Sequence, residues 1–323
     1  MRIPRMCLLL AVALVATLSN AQPTPFPSKP IRLIVDFPAG GTSDILARTI
    51  GQKLQESWGV AVVPENRVGA NGIIANEQLA KAAPDGYTIG IISASLAVNL
   101  NLYPSLPFNT QKDFAPVTLI ASTPNVLVVN PAAGIKSVND LVARARQKPG
   151  QLNYASGGVG GSAHLAAEML KKAAGIDMVH VPYNGMNPAL NDMIGGRVDL
   201  MFAVLPVALP HIKSGKLEIL AVADRHRSPV LPDVPTLAEA GVPGFVSLAW
   251  YGVAAPAGTP PEILDRYSAE IGRILKLPDV RERIATLGAE ARPMTPAETS
   301  AFINDEIERY AQVIKYSGAK IDK

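Results

Sequence analysis

A recurring succession of apolar strand, glycine-rich turn and amphipathic helix constrains the fold of this chain more than any other feature. The run Ile31–Phe37 is rich in β-branched residues and predicts a buried strand, and residues 43–58 place their apolar side chains on one helical face. Strands near Val60–Val63 and Tyr87–Ile92, separated by a helix over Ile73–Ala82, continue the pattern. Strands that alternate with helices in this way favour a parallel sheet covered by helices.

The same alternation restarts after an irregular, proline-punctuated segment at residues 100–116. Strands are predicted at Val117–Ala121 and Asn125–Asn130, and a last strand at Leu248–Ala254 precedes a helical C-terminal region. Between them the predicted elements are helices at Val138–Gln147 and Ala163–Ala174, strands at Leu152–Ala155, Met178–Tyr183, Val198–Ala203 and Leu217–Ala223, and a short helix capped by Asn187. We therefore expect two αβ units of similar size, each with its own sheet.

The C-terminal helices carry their own start signals. Residues 259–262 and 295–298 each place a threonine three positions before a glutamate, with a proline directly after the threonine. This spacing predicts a capping box, in which the threonine and glutamate side chains satisfy each other's backbone N–H groups. Two helices are therefore expected to begin at these sites.

The bulk composition limits the class of protein. A chain of 323 residues is long enough for two domains. Its formal net charge of +3 is modest and it has no cluster of lysine and arginine, so we expect no nucleic acid partner. The only cysteine, Cys7, lies inside an N-terminal apolar run, so we expect neither a disulfide nor a reactive thiol in the mature protein.

The first 21 residues have the organisation of a secretory signal peptide. Arg2 and Arg5 give a positive n-region, an apolar run extends from Met6 to Leu18, and Ala21 ends a cleavage site of small residues. The apolar run is too short to span a bilayer comfortably. We expect cleavage after about Ala21 and a periplasmic mature protein.

Two glycine-rich turns have the design of anion sites. The first covers residues 37–44 (FPAGGTSD) and the second residues 155–162 (ASGGVGGS), and each joins a strand to the start of a helix. Glycines let the backbone approach a ligand closely, and a helix N-terminus presents free N–H groups with a partial positive charge. The plainer alternative is a pair of tight turns with capped helices. Because the turns fall in different αβ units, a cleft between the units would hold one anion from both sides.

Motifs for catalysis and for cofactors are scarce. Residues 158–163 match a dinucleotide fingerprint, but the next strand ends at Tyr183 and Asn184, without the carboxylate that would hold a ribose. There is no P-loop and no G-x-S-x-G elbow, and the histidines show no zinc spacing. His164 and Glu168 could share a metal, although a solvated or capping pair is commoner at this spacing. We therefore expect no cofactor, no metal and no enzymatic activity.

Ordered motifs along nearly the whole mature chain resemble one protein family. They are PIRLIVDFPAGGTSD at residues 30–44, ENRVGANG at 65–72, APDGYT at 83–88, YASGGVGG at 154–161, VPYNG at 181–185, LPDVPT at 231–236 and WYGVAAP at 250–256. By these motifs the chain is similar to the Bug, or TctC-like, family of extracytoplasmic solute receptors of tripartite tricarboxylate transporters. One departure is Val68, where a proline often follows the Asn-Arg pair.

The resemblance implies an α/β, two-lobed type II periplasmic-binding-protein (flytrap) fold. Lobe 1 would comprise residues 22–123 and 249–323, and lobe 2 residues 124–248. Backbone N–H groups of both turns, with ordered waters, would hold the ligand carboxylate. By motif position these residues are Ala39, Gly40, Gly41, Thr42 and Ser43 in lobe 1, and Ser156, Gly157, Gly158, Gly160, Gly161 and Ser162 in lobe 2, with His164 nearby.

Other side chains are candidates for the far end of the ligand. The aromatic ones are Phe37, Tyr183, Phe202, Trp250 and Tyr251, each of which could equally belong to the core or to a hinge. Asp44 is expected chiefly to cap or orient its own loop. Asp199 either faces the cleft or is hydrogen-bonded at a strand end.

The leading hypothesis is a monomeric receptor that binds a mono-, di- or tricarboxylate, with aromatic acids among the options, and delivers it to membrane transporter subunits. Two alternatives stay open at this point. One is a ligand-loaded sensor subunit that docks on a signalling partner. The other is an enzyme on the same scaffold, since a fold does not fix a function.

Overall fold

The first half of the molecule is built on a parallel sheet whose strands are the apolar runs of the sequence. The computed structural model describes residues 26–319. The strands pair in the order β2-β1-β3 and are β1 (Ile31–Val35), β2 (Val62–Asn66) and β3 (Thr88–Ser93). The helices that follow them are α1 (Thr42–Trp58), α2 (Ile73–Ala80) and α3 (Ala94–Leu102). The sequence pattern missed α3 because its residues, ASLAVNLNL, are buried on nearly every side and show no amphipathic period.

The second half repeats this arrangement on a smaller sheet. Its strands are β5 (Asn153–Ser156), β6 (Val179–Pro182), β7 (Leu200–Val204) and β8 (Glu218–Val222), of which the first three pair in parallel in the order β7-β5-β6. Its helices are α4 (Val138–Gln147), α5 (Ser162–Ala174), α6 (Met186–Ile194) and α7 (Leu205–Lys213). The short helix α6 begins one residue before the predicted cap Asn187, with Gly185 in the N-cap position.

One long strand joins the two halves. In β4 (Phe114–Val129) the residues up to Pro124 pair with β9 (Leu248–Pro256), and those from Asn125 onward pair with β7 and β8. Because β9 also pairs with β3, the strands form one network and not the two separate sheets that the sequence predicted. The two strands predicted in this region are a single element, since Pro124 stays paired with Leu248.

Three chain segments are tied together where β4 passes from one half to the other. The N–H of Asn125 donates to the Ser247 carbonyl over 3.0 Å, that of Ser247 donates to Ala223 over 2.9 Å, and that of Ala223 donates to Asn125 over 2.8 Å. The Asn125 side-chain amide adds a bond of 3.0 Å to the Ser247 hydroxyl. This buried ring fixes the position at which the halves meet.

The C-terminal region returns to the first half as three helices and a short strand: α8 (Pro261–Ile274), α9 (Pro278–Thr286), β10 (Glu290–Ala291) and α10 (Pro296–Ser317). The capping box predicted at Thr295 is confirmed. The one predicted at Thr259 is wrong, because α8 starts two residues later and the Thr259 hydroxyl donates to the Pro256 carbonyl over 2.8 Å. Within residues 26–319 none of the helices is long and apolar enough to cross a membrane.

Helix α10 holds an ion pair against the start of β9. Glu306 accepts a hydrogen bond of 2.9 Å from the Trp250 indole and one of 2.8 Å from Arg309 Nη2. Arg309 Nη1 also donates to the Val246 carbonyl over 3.2 Å. The same helix packs on α3 and β4 of the first half and on α5 of the second. The ion pair therefore anchors α10 at the crossing between the halves.

We expect Glu306→Ala to destabilise the protein markedly, because it leaves the Trp250 indole and the Arg309 guanidinium without their acceptor. The cost should be about 2–4 kcal/mol in the free energy of unfolding, measured by urea denaturation. Glu308→Ala removes an exposed carboxylate from the same helix and serves as the control. Equal stability of the two variants would contradict this role of Glu306.

Candidate ligand-binding site

Two loops at the carboxyl ends of parallel strands, together with the residues that flank them, contain most of the predicted binding residues. The first loop (residues 36–41) runs from β1 to α1, and the second loop (residues 157–161) runs from β5 to α5. The second loop lies against the first half of the molecule, because Gly160 faces Leu102 of α3 and Val159 packs into the same apolar cluster. Ligands of open α/β sheets bind outside the carboxyl ends of the strands. Both loops therefore lie at the edge where such a site is expected.

Asp44 organises the first loop from within. Its Oδ2 accepts the Gly40 N–H over 2.9 Å and Arg48 Nε over 3.0 Å, while its Oδ1 accepts the Asn66 side-chain amide over 3.0 Å. Burial opposes its ionisation, but these hydrogen bonds outweigh burial and hold the pKa of Asp44 below its usual value. The structure thus gives Asp44 the loop-orienting role that the sequence favoured over direct ligand contact.

The helices that follow the two loops begin without a side-chain cap. Gly41 precedes α1 and Gly161 precedes α5, and neither helix start is capped by a side chain. Among the ten α-helices of residues 26–319, only α4 and α10 have a side-chain cap, from Ser137 and Thr295, so α1 and α5 are distinguished by the glycine loops that precede them. The first-turn N–H groups of an α-helix have no partner within the helix. At α1 and α5 these groups, on Thr42 and Ser43 and on Ser162 and Ala163, are donors suited to an anion.

Several amides of the second loop are engaged inside the loop itself. The N–H of Gly160 donates to His164 Nδ1 over 3.0 Å, and that of Gly161 donates to the Gly158 carbonyl over 3.4 Å. The Gly158 N–H donates to the Ser156 hydroxyl over 3.3 Å. Of the loop glycines expected to donate to a ligand, Gly158, Gly160 and Gly161 therefore serve the loop. In the first loop Gly41 does likewise, donating to the Pro38 carbonyl over 3.2 Å.

The second loop requires glycine at two positions for reasons of space. A Cβ on Gly157 would lie 2.9 Å from the backbone nitrogen of Met186. A Cβ on Gly160 would overlap Leu102, and the φ of +79° at Gly160 is one that favours glycine. The loop can therefore lie closely between α6 and α3 only with these glycines.

Three stacked rings support the second loop from below. The His180 ring centroid lies 4.8 Å from that of Tyr154 and 4.0 Å from that of His164, and the Tyr154 and His164 centroids are 6.2 Å apart, with all three rings nearly parallel. The Nε2 of His180 lies 2.7 Å from the Ser156 hydroxyl. His180 is not among the site residues predicted from the sequence. The available signal was strand register, since His180 of β6 pairs with Tyr154 of β5 directly before the glycine turn.

A buried carboxyl group lies at the start of the first loop. Asp36 is 1% exposed and accepts the Ser93 hydroxyl over 2.6 Å, and Ser93 in turn lies 2.9 Å from Ser95 Oγ. Burial raises the pKa of Asp36 to about 6, an effect only partly offset by the hydrogen bond from Ser93. The burial of this carboxyl group was not predictable from the sequence, because an aspartate after an apolar run is typical of the polar end of a strand.

The candidate aromatic residues divide between the loops and the core. Phe37 belongs to the first loop and is half-buried, and Tyr251 of β9 lies beside Thr42, where burial raises the pKa of Tyr251 to about 12. Tyr183 follows β6, and its hydroxyl donates to Asp192 over 2.9 Å. These three lie at or next to the loops, where a ligand could reach them.

Three other predicted contacts have side chains that are engaged within the protein. Phe202 is fully buried and stacks on Phe245 at 5.8 Å, in the core of the second half. Trp250 is also fully buried, against α10. Asp199 accepts the Asn153 N–H over 2.7 Å at the amino ends of β5 and β7, the opposite edge of the sheet from the loops. Packing or a strand-end hydrogen bond accounts for each of these side chains, in keeping with the core and strand-end alternatives, and their contact with a ligand stays a prediction.

The possible metal pair His164 and Glu168 has other partners. Glu168 accepts the Tyr154 hydroxyl over 2.5 Å and pairs with Lys171 over 3.0 Å. In the part of the chain that the structure describes, no three histidine, cysteine or acidic side chains are grouped so as to hold a metal ion.

Comparison with known proteins gives consistent results by sequence and by structure. Residues 46–319 match the model of the tripartite tricarboxylate transporter family receptors. The chain is 40% identical over 312 residues to the protein BugT of Bordetella pertussis, covering 95% of this chain and 96% of BugT. It is 41% identical over 307 residues to a Pseudomonas protein of the tcbD-tcbE intergenic region, covering 94% of this chain and 91% of that protein.

Two solved structures from Rhodopseudomonas palustris resemble the whole molecule. Rpa4515, solved with adipate, superposes with a TM-score of 0.84 at 36% identity and covers 92% of this chain and 100% of its own. MatC, solved with bound malate, superposes with a TM-score of 0.79 at 33% identity and covers 90% of this chain and 100% of its own. The periplasmic binding protein BugD superposes with a TM-score of 0.80 at 32% identity and covers 91% of this chain and 99% of its own, and the two-lobed α/β fold predicted from the sequence is confirmed.

The burial of Asp36 makes stability depend on pH. Its folded pKa of about 6 exceeds the value near 4 of an unfolded aspartate, so the folded state binds the proton more tightly. The free energy of unfolding should therefore fall as pH rises from about 4 to about 6, by about 2–3 kcal/mol from this group.

The variant Asp36→Asn tests this assignment because it removes the titrating group and keeps the shape. It should be more stable than the wild type at pH 7.5 and show no such gain at pH 4, as measured by urea denaturation at both values. Asp265→Asn, at an exposed position, is the control. A gain at pH 7.5 that persists unchanged at pH 4 would show that Asp36 does not ionise in this range.

Proposed function

This chain belongs to the tripartite tricarboxylate transporter family receptors, and on that premise we propose that it binds a small carboxylate between its two lobes and delivers it to the membrane subunits of such a transporter. The receptor class is that of the family, whose relatives include structures with adipate and with malate. For this chain we propose a dicarboxylate of similar length, a periplasmic location and a monomeric state. Its two lobes would comprise residues 22–123 with 249–323 and residues 124–248, divided at the buried ring around Asn125.

The observation that carries this proposal is a pair of helix N-termini, one from each half, that directly follow the two glycine-rich loops at strand ends pointing toward the crossing between the halves. Helices α1 and α5 each begin directly after a glycine loop at the carboxyl end of a strand, and neither has a capping side chain. One carboxylate between them would accept hydrogen bonds from Thr42 and Ser43 on one side and from Ser162 and Ala163 on the other. Such charge-assisted bonds are stronger than neutral ones, and the helix dipoles add to them.

The other groups near the loops would contact the rest of the ligand. Phe37, Tyr183 and Tyr251 offer apolar faces and hydroxyl groups at this edge. The backbone N–H donors would contact only the carboxylate group, so these side chains would determine which length and polarity are preferred in the rest of the ligand. Closure of the lobes on the ligand would then be the change that the transporter recognises.

Binding is tested with adipate and malate on residues 22–323, by isothermal titration and by thermal unfolding. A carboxylate at about 100 times its Kd should add about 2.7 kcal/mol of stability. Adipamide, which has the same chain without the charge, is the control ligand. Equal stabilisation by adipate and adipamide, or no effect of either dicarboxylate, would argue against a dicarboxylate site at the helix N-termini.

Proline substitutions at the first helical position remove single donors while keeping the helix. Proline is well tolerated at this position, and the preceding residues Gly41 and Gly161 already have the extended backbone that it requires. We expect Thr42→Pro and Ser162→Pro each to weaken adipate or malate binding about tenfold or more, because each loses a hydrogen bond to a charged group.

Two control variants separate the loss of a donor from other effects. Val138→Pro makes the same change at α4, after the extended residue Ser137 and away from both loops, and should leave binding unchanged. Ser162→Ala removes the hydroxyl but keeps the N–H. Equal weakening by Ser162→Ala and Ser162→Pro would assign the contact to the side chain instead of the backbone.

A further inference from the structure

The ring stack under the second loop combines stacking with hydrogen bonds to the loop. His164 uses its Nδ1 to accept the Gly160 N–H over 3.0 Å. An acceptor nitrogen must be unprotonated, so the His164 proton is carried on Nε2. His180, 4.0 Å away in the stack, makes its hydrogen bond of 2.7 Å with Ser156 Oγ through Nε2. The two imidazoles thus reach the loop at different points.

Ser156 links His180 to the backbone of the second loop through hydrogen bonds. Its hydroxyl oxygen accepts the Gly158 N–H over 3.3 Å and lies 3.1 Å from the Gly158 carbonyl. A hydroxyl has one proton and two lone pairs, so the hydrogen bond with His180 Nε2 restricts the rotation of the Ser156 hydroxyl. His180 therefore restrains Gly158 through Ser156, while His164 restrains Gly160 directly.

The surroundings of the stack keep both rings neutral. Burial lowers the pKa of His164 to about 4, and the positive charge of Lys171 acts in the same direction. Burial also lowers the pKa of His180 to about 4, with His164 and Lys171 lowering it further and Glu168 opposing them. Tyr154 is the third ring of the group, and its hydroxyl donates a hydrogen bond to Glu168. Two stacked imidazoles at 4.0 Å can lie this close because neither carries a charge.

We propose that His180 is a positioning residue for ligand binding: with His164, it holds the amides of Gly158 and Gly160 inside the second loop, so that the half-buried start of α5 at Ser162 stays open to the ligand. This role rests on the proposed function for its effect on affinity, but not for its effect on the loop. The residue itself does not touch the ligand. It acts through Ser156, from the adjacent strand β6.

The effect on the loop is measured without any ligand. In nitrogen-15 NMR spectra at pH 7, His164 should show the tautomer with its proton on Nε2, and both histidines should titrate well below pH 6. The variant His180→Phe keeps a ring in the stack and removes the hydrogen bond to Ser156. It should speed hydrogen exchange of the Gly158 amide about fivefold to tenfold, the expected effect of losing one hydrogen bond.

Control and rescue variants test whether the change in Gly158 exchange comes from the His180 hydrogen bond. His226→Phe, at an exposed position, is the control and should leave exchange unchanged. Ser156→Ala should reproduce the effect of His180→Phe, and His180→Gln, which restores a polar group near Nε2, should recover part of it. Unchanged Gly158 exchange in His180→Phe, or a His164 proton on Nδ1, would overturn the positioning role.

The effect on affinity is measured with adipate and malate as probes. We expect His180→Phe to weaken whichever probe binds about fivefold to tenfold, and His226→Phe to leave it unchanged. If the wild type binds neither probe, the dicarboxylate proposal fails while the exchange experiment still decides the role of His180. Faster exchange combined with an unchanged Kd would show that the loop restraint is real but does not position the site, and would overturn the proposal.

Discussion

The structure depends on one strand that serves both lobes. The first part of β4 is hydrogen-bonded to β9 and its second part to β7 and β8, so both halves of the molecule share this strand. The buried ring of Asn125, Ala223 and Ser247 then sets where the halves meet. Through these pairings β1 and β5 run in opposite directions, so their carboxyl ends both point toward the crossing at Asn125, and the second loop rests on α3. The candidate site therefore follows from strand pairing before any ligand-binding side chain is considered.

Local sequence signals predicted the parts of the fold that depend on local physics. The period of residues 43–58 identified α1, and the Thr295 capping box identified the start of α10. The glycine turns were recognisable because glycine is needed there for space. In contrast, α3 is buried almost all round and has no amphipathic period, and the continuity of β4 through Pro124 depends on pairing with Leu248, far away in the chain.

The candidate site was predictable at the level of loops and much less so at the level of single groups. Phe202 and Trp250 look like ligand aromatics in the sequence, but the side of the strand on which each lies is decided by packing against Phe245 and α10. His180 acquires its role only through register with Tyr154. Five of the six glycine amides expected to meet the ligand instead donate within the protein, to groups that include His164 and Asp44, and the first-turn amides of α1 and α5 are the donors that we propose in their place.

The uncapped starts of α1 and α5 have an evolutionary consequence. A donor that belongs to the main chain is present whatever side chain is attached, so ordinary point mutations cannot delete it and only proline can. Proteins encoded by descendants of one such gene can therefore change the aromatic and polar residues around the loops, and with them the preferred ligand. The backbone donors for a carboxylate group are retained throughout. A scaffold of this kind is suited to gene duplication, because each copy begins its divergence already able to bind an organic acid.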